Sequence, residues 1–313
     1  MDELNRYAGD WGEYSRWWDQ QLGGKYAHLG DEWNDDAAGG RGRDEFYFSI
    51  FAQPFLRPEM TVLEVGPGGG KWTVRLAQRV RKVVALDVSR EMLQRTRQRC
   101  ESEKLDNVEL VIGNGRDFLP MGDESVDFFF SFDVFVHLAL EDTFAYVQEM
   151  NRVLKSGGRG VCHHAIATPA MAWDRVEAMN EWYRGGKHTM GQYFYHTPES
   201  LRRMYEHCGL SVAGQYIEKW HCVCLIERPA DSLLPRLERL LAQLGSSQAD
   251  AEAIRNEVIA ALRALPDQMA AAMKPVLDFA AGAATAADRL AAAGRLRQIW
   301  RGMRGGNWFG QKG

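Results

Sequence analysis

The sequence predicts an α/β protein built on an open, doubly wound sheet. Three observations carry that expectation. Strand-like and helix-like segments alternate through the middle of the chain, a glycine-rich turn follows the first strand, and an acid closes the second. The expected strands are TVLEV (61–65), KVVALDV (82–88), NVELVI (107–112), SVDFFFSF (125–132) and GRGVCHHA (158–165), each short, apolar or β-branched, and bounded by Gly, Asp, Asn or Pro. Between them SREMLQRTRQRCESEK opens on Ser89 as a helix N-cap, and LEDTFAYVQEMNRVLKSGG carries helical spacing up to a stop at Gly157 and Gly158. TPESLRRMYEHCGL reads as a further helix, with Thr197 as N-cap, Pro198 at its first position and Gly209 as its stop. SVAGQYIEKW and HCVCLIER then form a closing antiparallel hairpin. The result is a mostly parallel sheet of seven strands.

The turn VLEVGPGGGKWT (62–73) lies where such a sheet opens its ligand crevice, at the carboxyl end of the first strand. Glycine there lets the backbone approach a ligand. The spacing is Glu64-x-Gly66-x-Gly68-x-Gly70, with Lys71 where a dinucleotide fingerprint needs its third glycine, and no Gly-Lys-Ser/Thr ending makes a phosphate loop. Asp87, about 20 residues past the first glycine, is placed to accept hydrogen bonds from two ribose hydroxyls. A nucleoside without a pyrophosphate is the expected ligand.

Composition excludes other classes. The 313 residues are 45% hydrophobic, enough for a full core, and a formal net charge of −4 gives no overall attraction to nucleic acid or anionic membranes. Five scattered cysteines without a CxxC pair fit a reducing compartment. The acidic, aromatic start MDELNRYAGDWGEYSRWW lacks the features of a signal peptide, and no apolar run is long enough to insert stably in a membrane, so a cytoplasmic location is expected.

Taken in order, E-x-G-x-G-x-G, the acid at 87, GNGRDFLP (113–120) and SVDFFFSFDVFVHL (125–138) resemble a class I S-adenosylmethionine-dependent methyltransferase from about Phe51 to Arg228. The resemblance implies a Rossmann-like fold and S-adenosyl-L-methionine as cofactor. It implies that Glu64, Gly66, Gly68 and Gly70 line the methionine and ribose part, that Asp87 holds the ribose, and that Val65, Val88, Ser131 and Phe132 complete the set. Asn114, Gly115 and Arg116 fall where the family binds adenine, the usual acid of that loop being replaced by Asn114 or displaced to Asp117. YAHLGDEW (26–33), SFDVFVHL (131–138) and CHHA (162–165) are also similar to methyltransferases found beside polysaccharide and glycoside biosynthesis enzymes, which implies a sugar or glycoside acceptor.

A hydroxyl acceptor is a weak acid and wants a neutral histidine, a carboxylate or a metal to take or loosen its proton. Asp133 and His137 follow the fourth strand, and His163 and His164 end the fifth, where alternation lets at most one of the pair enter the site. His137, His163 or His164 is therefore the expected base, with Asp133 orienting acceptor or methionine. No metal is assigned, although Asp133, His137 and one of the pair would be the set to hold one. An amine or aminosugar acceptor, and a non-catalytic cofactor-binding interaction protein, are the alternatives.

Residues 1–50 form an aromatic cap in which Trp11, Tyr14, Trp17, Trp18, Tyr26 and Trp33 either dock on the core or cover the acceptor as a lid. Residues 51–228 form the cofactor-binding core. Within it, residues 165–196 form an acceptor-binding insert offering Trp173, Glu177, Trp182, Tyr183, Arg184, His188, Tyr193 and Tyr195. Residues 229–313 read as a helical extension broken near Gly245, Pro266, Pro275 and Gly294. Its stripe of Leu233, Leu237, Leu240, Leu241 and Leu244 needs a partner, which a second subunit could supply. Arg297, Arg301 and Arg304, with Trp300, Trp308 and Phe309, make a basic tail that reads either as a solvated face or as a membrane-surface contact.

Overall fold

The computed structural model describes residues 6–34, 42–184 and 192–229. The chain divides into two compact units, Met1–Ala230 and Asp231–Gly313. The expectations for the C-terminal helices, the basic tail and His188 lie outside the described residues, as do those for the side chains of Trp33, Trp182 and Tyr183.

Along the first unit run α1 (Arg6–Gln21), α2 (Arg43–Tyr47), β1 (Thr61–Val65), α3 (Lys71–Ala77), β2 (Lys82–Asp87), α4 (Arg90–Ser102) and β3 (Val108–Ile112). There follow β4 (Val126–Ser131), α5 (Leu140–Val153), β5 (Leu154–Ile166), α6 (Ala170–Arg184), β6 (Tyr195–His196), α7 (Pro198–His207), β7 (Ser211–Glu218) and β8 (His221–Glu227). The strands form one sheet in the order β3-β2-β1-β4-β5-β8-β7, with the short β6 beside β5. β1 to β5 are parallel, while β8 runs antiparallel to both β5 and β7. This is the expected Rossmann-like α/β architecture with its antiparallel edge hairpin, and the two-residue β6 adds an eighth strand to the expected seven.

Period-two alternation gives each central strand two apolar faces, and both are covered. Val62, Val83, Ala85, Phe128 and Phe130 form one layer with Trp72 and Leu76 of α3. Leu63, Val65, Val84, Leu86 and Phe129 form the other, with Tyr146, Val147 and Met150 of α5 and Leu201 and Tyr205 of α7. The helix starts follow their caps. Ser89 Oγ accepts the Met92 N–H at 3.2 Å, and Thr197 and Ser200 make a reciprocal capping box.

One boundary differs from expectation. α5 stops at Val153 rather than running on to Gly157, because Leu154 is fully buried and already pairs with Val126 in the sheet. Among the described residues no helix is long and apolar enough to cross a membrane.

The far end of β8 is fastened by Arg228, whose side chain is buried. It donates to the Leu154 carbonyl and, at 2.7 Å, to Glu124, while its backbone N–H meets the Gly158 carbonyl at 2.8 Å. Replacing one member of a buried charged network leaves the others unpaired. Arg228→Met is therefore expected to lower the free energy of unfolding by about 3 kcal/mol, read from the urea midpoint, and Glu124→Gln by less, because Glu124 is partly exposed.

Candidate active site

The chain runs outward from β1 to β3 and returns to β4 on the other side of β1, so the strand order reverses between β1 and β4. A cavity of about 1410 Å³ opens there at the carboxyl ends of the strands, roomier than the usual ligand pocket and large enough for a nucleoside and a second molecule. Its floor is the turn after β1. Gly66 has φ 72°, and a Cβ there would come within 2.2 Å of Val134. Gly68, at φ 57°, faces open space, which leaves a bare-backbone cradle that a side chain would fill. Gly70 caps α3 from outside the cavity lining.

One carboxyl lines this floor, and a second, Glu64, is buried in β1 outside the lining. Asp87 ends β2, lines the cavity and accepts the Ser89 N–H at 2.9 Å; burial pushes it up to about 6 against the hydrogen bonds from Ser89, Gly68 and Val88. Glu64 is 1% exposed, and burial pushes it from 4.5 to about 8. Thr73 pulls the other way, yet neither Glu64 oxygen nor the Thr73 hydroxyl completes a hydrogen bond within the protein. An orphaned buried acid beneath a bare glycine cradle, with a second acid at the end of β2, fits the amino and hydroxyl donors of S-adenosylmethionine.

A further part of the wall is built on Asp133, which leaves β4 in the left-handed region at φ 61°. Arg43 Nη2 lies 3.3 Å from its Oδ1, and His163 Nδ1 lies 3.0 Å from the same oxygen. Burial alone would raise this carboxyl. Arg43 and His163 instead hold it well below the usual range, so it stays ionised. His163 Nδ1 also lies 3.2 Å from the Asp133 N–H, but an unprotonated nitrogen would set its lone pair against the carboxylate, so the proton belongs on Nδ1.

With the proton of His163 on Nδ1, its Nε2 accepts from His221 Nδ1 at 2.8 Å, and in that tautomer the lone pair of His221, a residue of the cavity wall, is on Nε2. Burial, His163 and Arg43 push His221 down to about 3, so it is a neutral imidazole at neutral pH. Trp220 stacks on it with ring centroids 3.7 Å apart.

His137 also lines the cavity. Its Nδ1 donates to the Gln192 carbonyl at 2.8 Å and Trp11 meets its ring edge-on, while burial pushes it down to about 4. His163 and His164 are both fully buried and do not line the cavity. His163 reaches it through His221, and His164 turns to the other face of β5, where Nε2 meets the Tyr205 hydroxyl at 2.8 Å. Val65, Val88 and Phe132 line the cavity, whereas Ser131 is buried and ties β4 to the Val65 carbonyl at 2.9 Å. Asn114, Gly115 and Arg116 stand outside the lining, because Asn114 Oδ1 is occupied by the N–H groups of Arg116 and Asp117.

The N-terminal aromatics both dock and line. Trp18 is buried against Leu29 and Met92, with Arg95 over its ring and bonded to Ser15 at 2.7 Å, while Tyr7, Trp11, Tyr14 and Trp17 face the cavity. From the insert, Arg175 and Tyr193 line the cavity and Trp173 is exposed. His221, Arg43, Arg175 and Trp220 were not singled out by the sequence. The sequence carries no signal for the meeting of His163 and His221, which depends on the register that pairs Ala165 with His221 and puts both histidines on one face. Among the described residues no cluster of three or more His, Cys, Asp or Glu is set to hold a metal ion.

Comparison with known proteins agrees with this geometry. The family described as "Methyltransferase domain" matches residues 62–158. The demethylmenaquinone methyltransferase of Bacillus cereus is 35% identical over 113 residues, 34% of this chain and 45% of that protein. That of Listeria welshimeri is 32% identical over 139 residues, 42% of this chain and 56% of that protein. The chain spans about half the length of these curated relatives. Among solved structures, magnesium protoporphyrin IX methyltransferase from Synechocystis, with bound SAH, superposes with a TM-score of 0.52 at 16% identity. It covers 69% of this chain and 94% of its own. A Galdieria sulphuraria protein assigned as a sarcosine dimethylglycine methyltransferase gives 0.53 at 17%, over 70% of this chain and 99% of its own. These likenesses establish a Rossmann-like methyltransferase fold.

The state of Glu64 has a measurable consequence. Between about pH 5 and 8 the folded protein holds a proton on Glu64 that the unfolded chain has released, so this group's contribution is complete at low pH and is lost as pH rises through about 8. The full effect is on the order of 4 kcal/mol. Glu64→Gln is expected to flatten the fall in melting temperature of the ligand-free protein across that window, and a parallel pH profile would refute the assignment.

Proposed function

We propose that the protein is an S-adenosylmethionine-dependent methyltransferase acting on a ring hydroxyl, with His221 as the proton acceptor. The observation that carries this reading is the chain Asp133–His163–His221, which ends in the wall of the cavity that the glycine cradle floors. When bound in that cradle, S-adenosylmethionine supplies a methyl group on a sulfonium, open to in-line displacement by an acceptor oxygen.

The residues supply the rest. Asp87 and Glu64 accept the donors of the nucleoside and amino-acid ends, and the aromatic walls exclude water. As the oxygen–carbon bond forms, the acceptor proton passes to His221 Nε2. The positive charge that develops there is offset through His163 by Asp133, which is already ionised. His137 is also neutral, but its Nδ1 partner is a backbone carbonyl, which cannot compensate a full charge in this way. His137 is therefore a hydrogen-bond acceptor for the substrate rather than the base.

Two observations narrow the acceptor. The Asp133 carboxylate is engaged by Arg43 and His163, so it is not free to hold an ammonium-like acceptor, and oxygen is favoured over nitrogen. Trp11, Tyr14, Trp17, Tyr193, Tyr216 and Trp220 line the cavity with aromatic rings, whereas among the described residues no Asn or Gln lines it to bond the many hydroxyls of a sugar. A flat hydroxylated ring therefore suits these walls better than a glycoside. The names of the B. cereus and Listeria relatives support the flat ring alone, since they name a quinone and no hydroxyl.

The test is titration with S-adenosylmethionine and S-adenosylhomocysteine, followed by a labelled-methyl assay against phenols, reduced quinones, glycosides and amines. Cofactor binding with label on a phenol or quinol is expected, and failure to bind either cofactor form would sink the reading. Asp87→Ala is expected to weaken cofactor binding about tenfold or more. His221→Asn is expected to lower kcat roughly a hundredfold with cofactor affinity kept. If His137→Gln costs more than His221→Asn, the base is misassigned.

A further inference from the structure

The cavity wall carries four side-chain cations, and their surroundings differ. Arg43 is paired with Asp133 at 3.3 Å and Lys71 with the buried Asp44 at 3.1 Å, while Lys219 sits on the exposed hairpin turn. Arg175 of α6 has no carboxylate within 4.0 Å among the described residues. Its Nη2 donates to the Tyr193 hydroxyl at 3.0 Å, and its Nε–H is buried without a hydrogen-bond partner. The guanidinium lies 4.8 Å from the centre of the Tyr193 ring and 5.2 Å from that of Trp220, the residue stacked on His221.

A guanidinium held against two aromatic rings that stand edge to face, with a buried donor unmet and no carboxylate beside it, is an anion receptor, and its planar fork matches a carboxylate. Its place beside the acceptor histidines is also informative. The charge of Arg175 is one of the forces holding both His137 and His221 low. An anion at Arg175 would cancel that force, so the group that anchors such an acceptor also makes His221 a better base.

We infer that Arg175 forms a carboxylate subsite and that the acceptor is an acidic aromatic compound, a ring bearing both a hydroxyl and a carboxylate. The inference rests on the reading of the cavity as a methyl-transfer site but is tested separately from it. Arg175 grips the carboxylate, Tyr193 and Trp220 hold the ring plane, and the hydroxyl is left to His221.

The probes are 4-hydroxybenzoate and its neutral counterpart 4-hydroxybenzamide, titrated calorimetrically into the full-length protein with and without S-adenosylhomocysteine. The wild type should bind the acid at least about tenfold more tightly than the amide, a difference of about 1.4 kcal/mol. Arg175→Met, which keeps an unbranched apolar stem beneath the two rings, should erase that preference, and Arg175→Lys should restore part of it. Equal binding of acid and amide by the wild type, binding of neither, or a preference that survives in Arg175→Met would each overturn the subsite. The S-adenosylhomocysteine titration reads the cofactor site independently, so a lost cofactor site and a lost acid preference are distinguishable outcomes.

Discussion

A carboxylate kept ionised inside a cavity wall is the constraint around which this site is arranged. Burial pushes Asp133 toward the neutral form although its side chain is still 35% exposed, and a guanidinium and an imidazole brought from distant parts of the chain hold it ionised. Arg43 arrives with α2, before the sheet begins, and His163 arrives with β5. Asp133 meets them by leaving β4 in a left-handed conformation, a backbone state that a short polar residue tolerates better than most. Helix, strand and turn must all be in place before the charge is stable. The tautomers of His163 and His221 turn on that carboxylate.

The cavity wall is drawn from near and far in the chain. The turn after β1 and the acid that closes β2 belong to adjacent parallel strands. α1, α6 and the β7–β8 hairpin reach the same cavity from positions distant in sequence. That difference explains why residues 62–158, which hold the turn and the acid, match the family model, while the distant elements fall outside it.

It also explains what could be read before the structure. β1 to β4 were legible because each is a short apolar run bounded by turn residues, and Ser89 and Thr197 because capping is a local hydrogen bond. The end of α5 was misread because glycines at 157 and 158 resemble a helix stop, whereas burial of Leu154 had already drawn the chain into the sheet. Alternation on β5 separated His163 from His164. It could not reveal that His163 spends its Nε2 on a residue 58 positions away, because that depends on the register between β5 and β8. The Asn114 loop illustrates a different limit. Motif position puts it beside the cofactor, yet its side chain bonds its own backbone.

The antiparallel direction of β8 has a consequence for how this protein can diverge. A parallel strand brings its last residue to the working edge of the sheet, but β8 brings its first, directly after the turn at Lys219 and Trp220. That turn is secured to β5 by the Ile166 N–H, which meets the Trp220 carbonyl at 2.8 Å. Exchanges at 219 and 220 therefore alter one part of the cavity wall and leave the turn after β1 untouched. A one-residue insertion between that anchor and the Ala165–His221 pair would instead turn His221 to the opposite face of the sheet. Residue type and loop length are thus separate demands on this hairpin: substitution changes the wall in place, whereas an added residue carries His221 out of it.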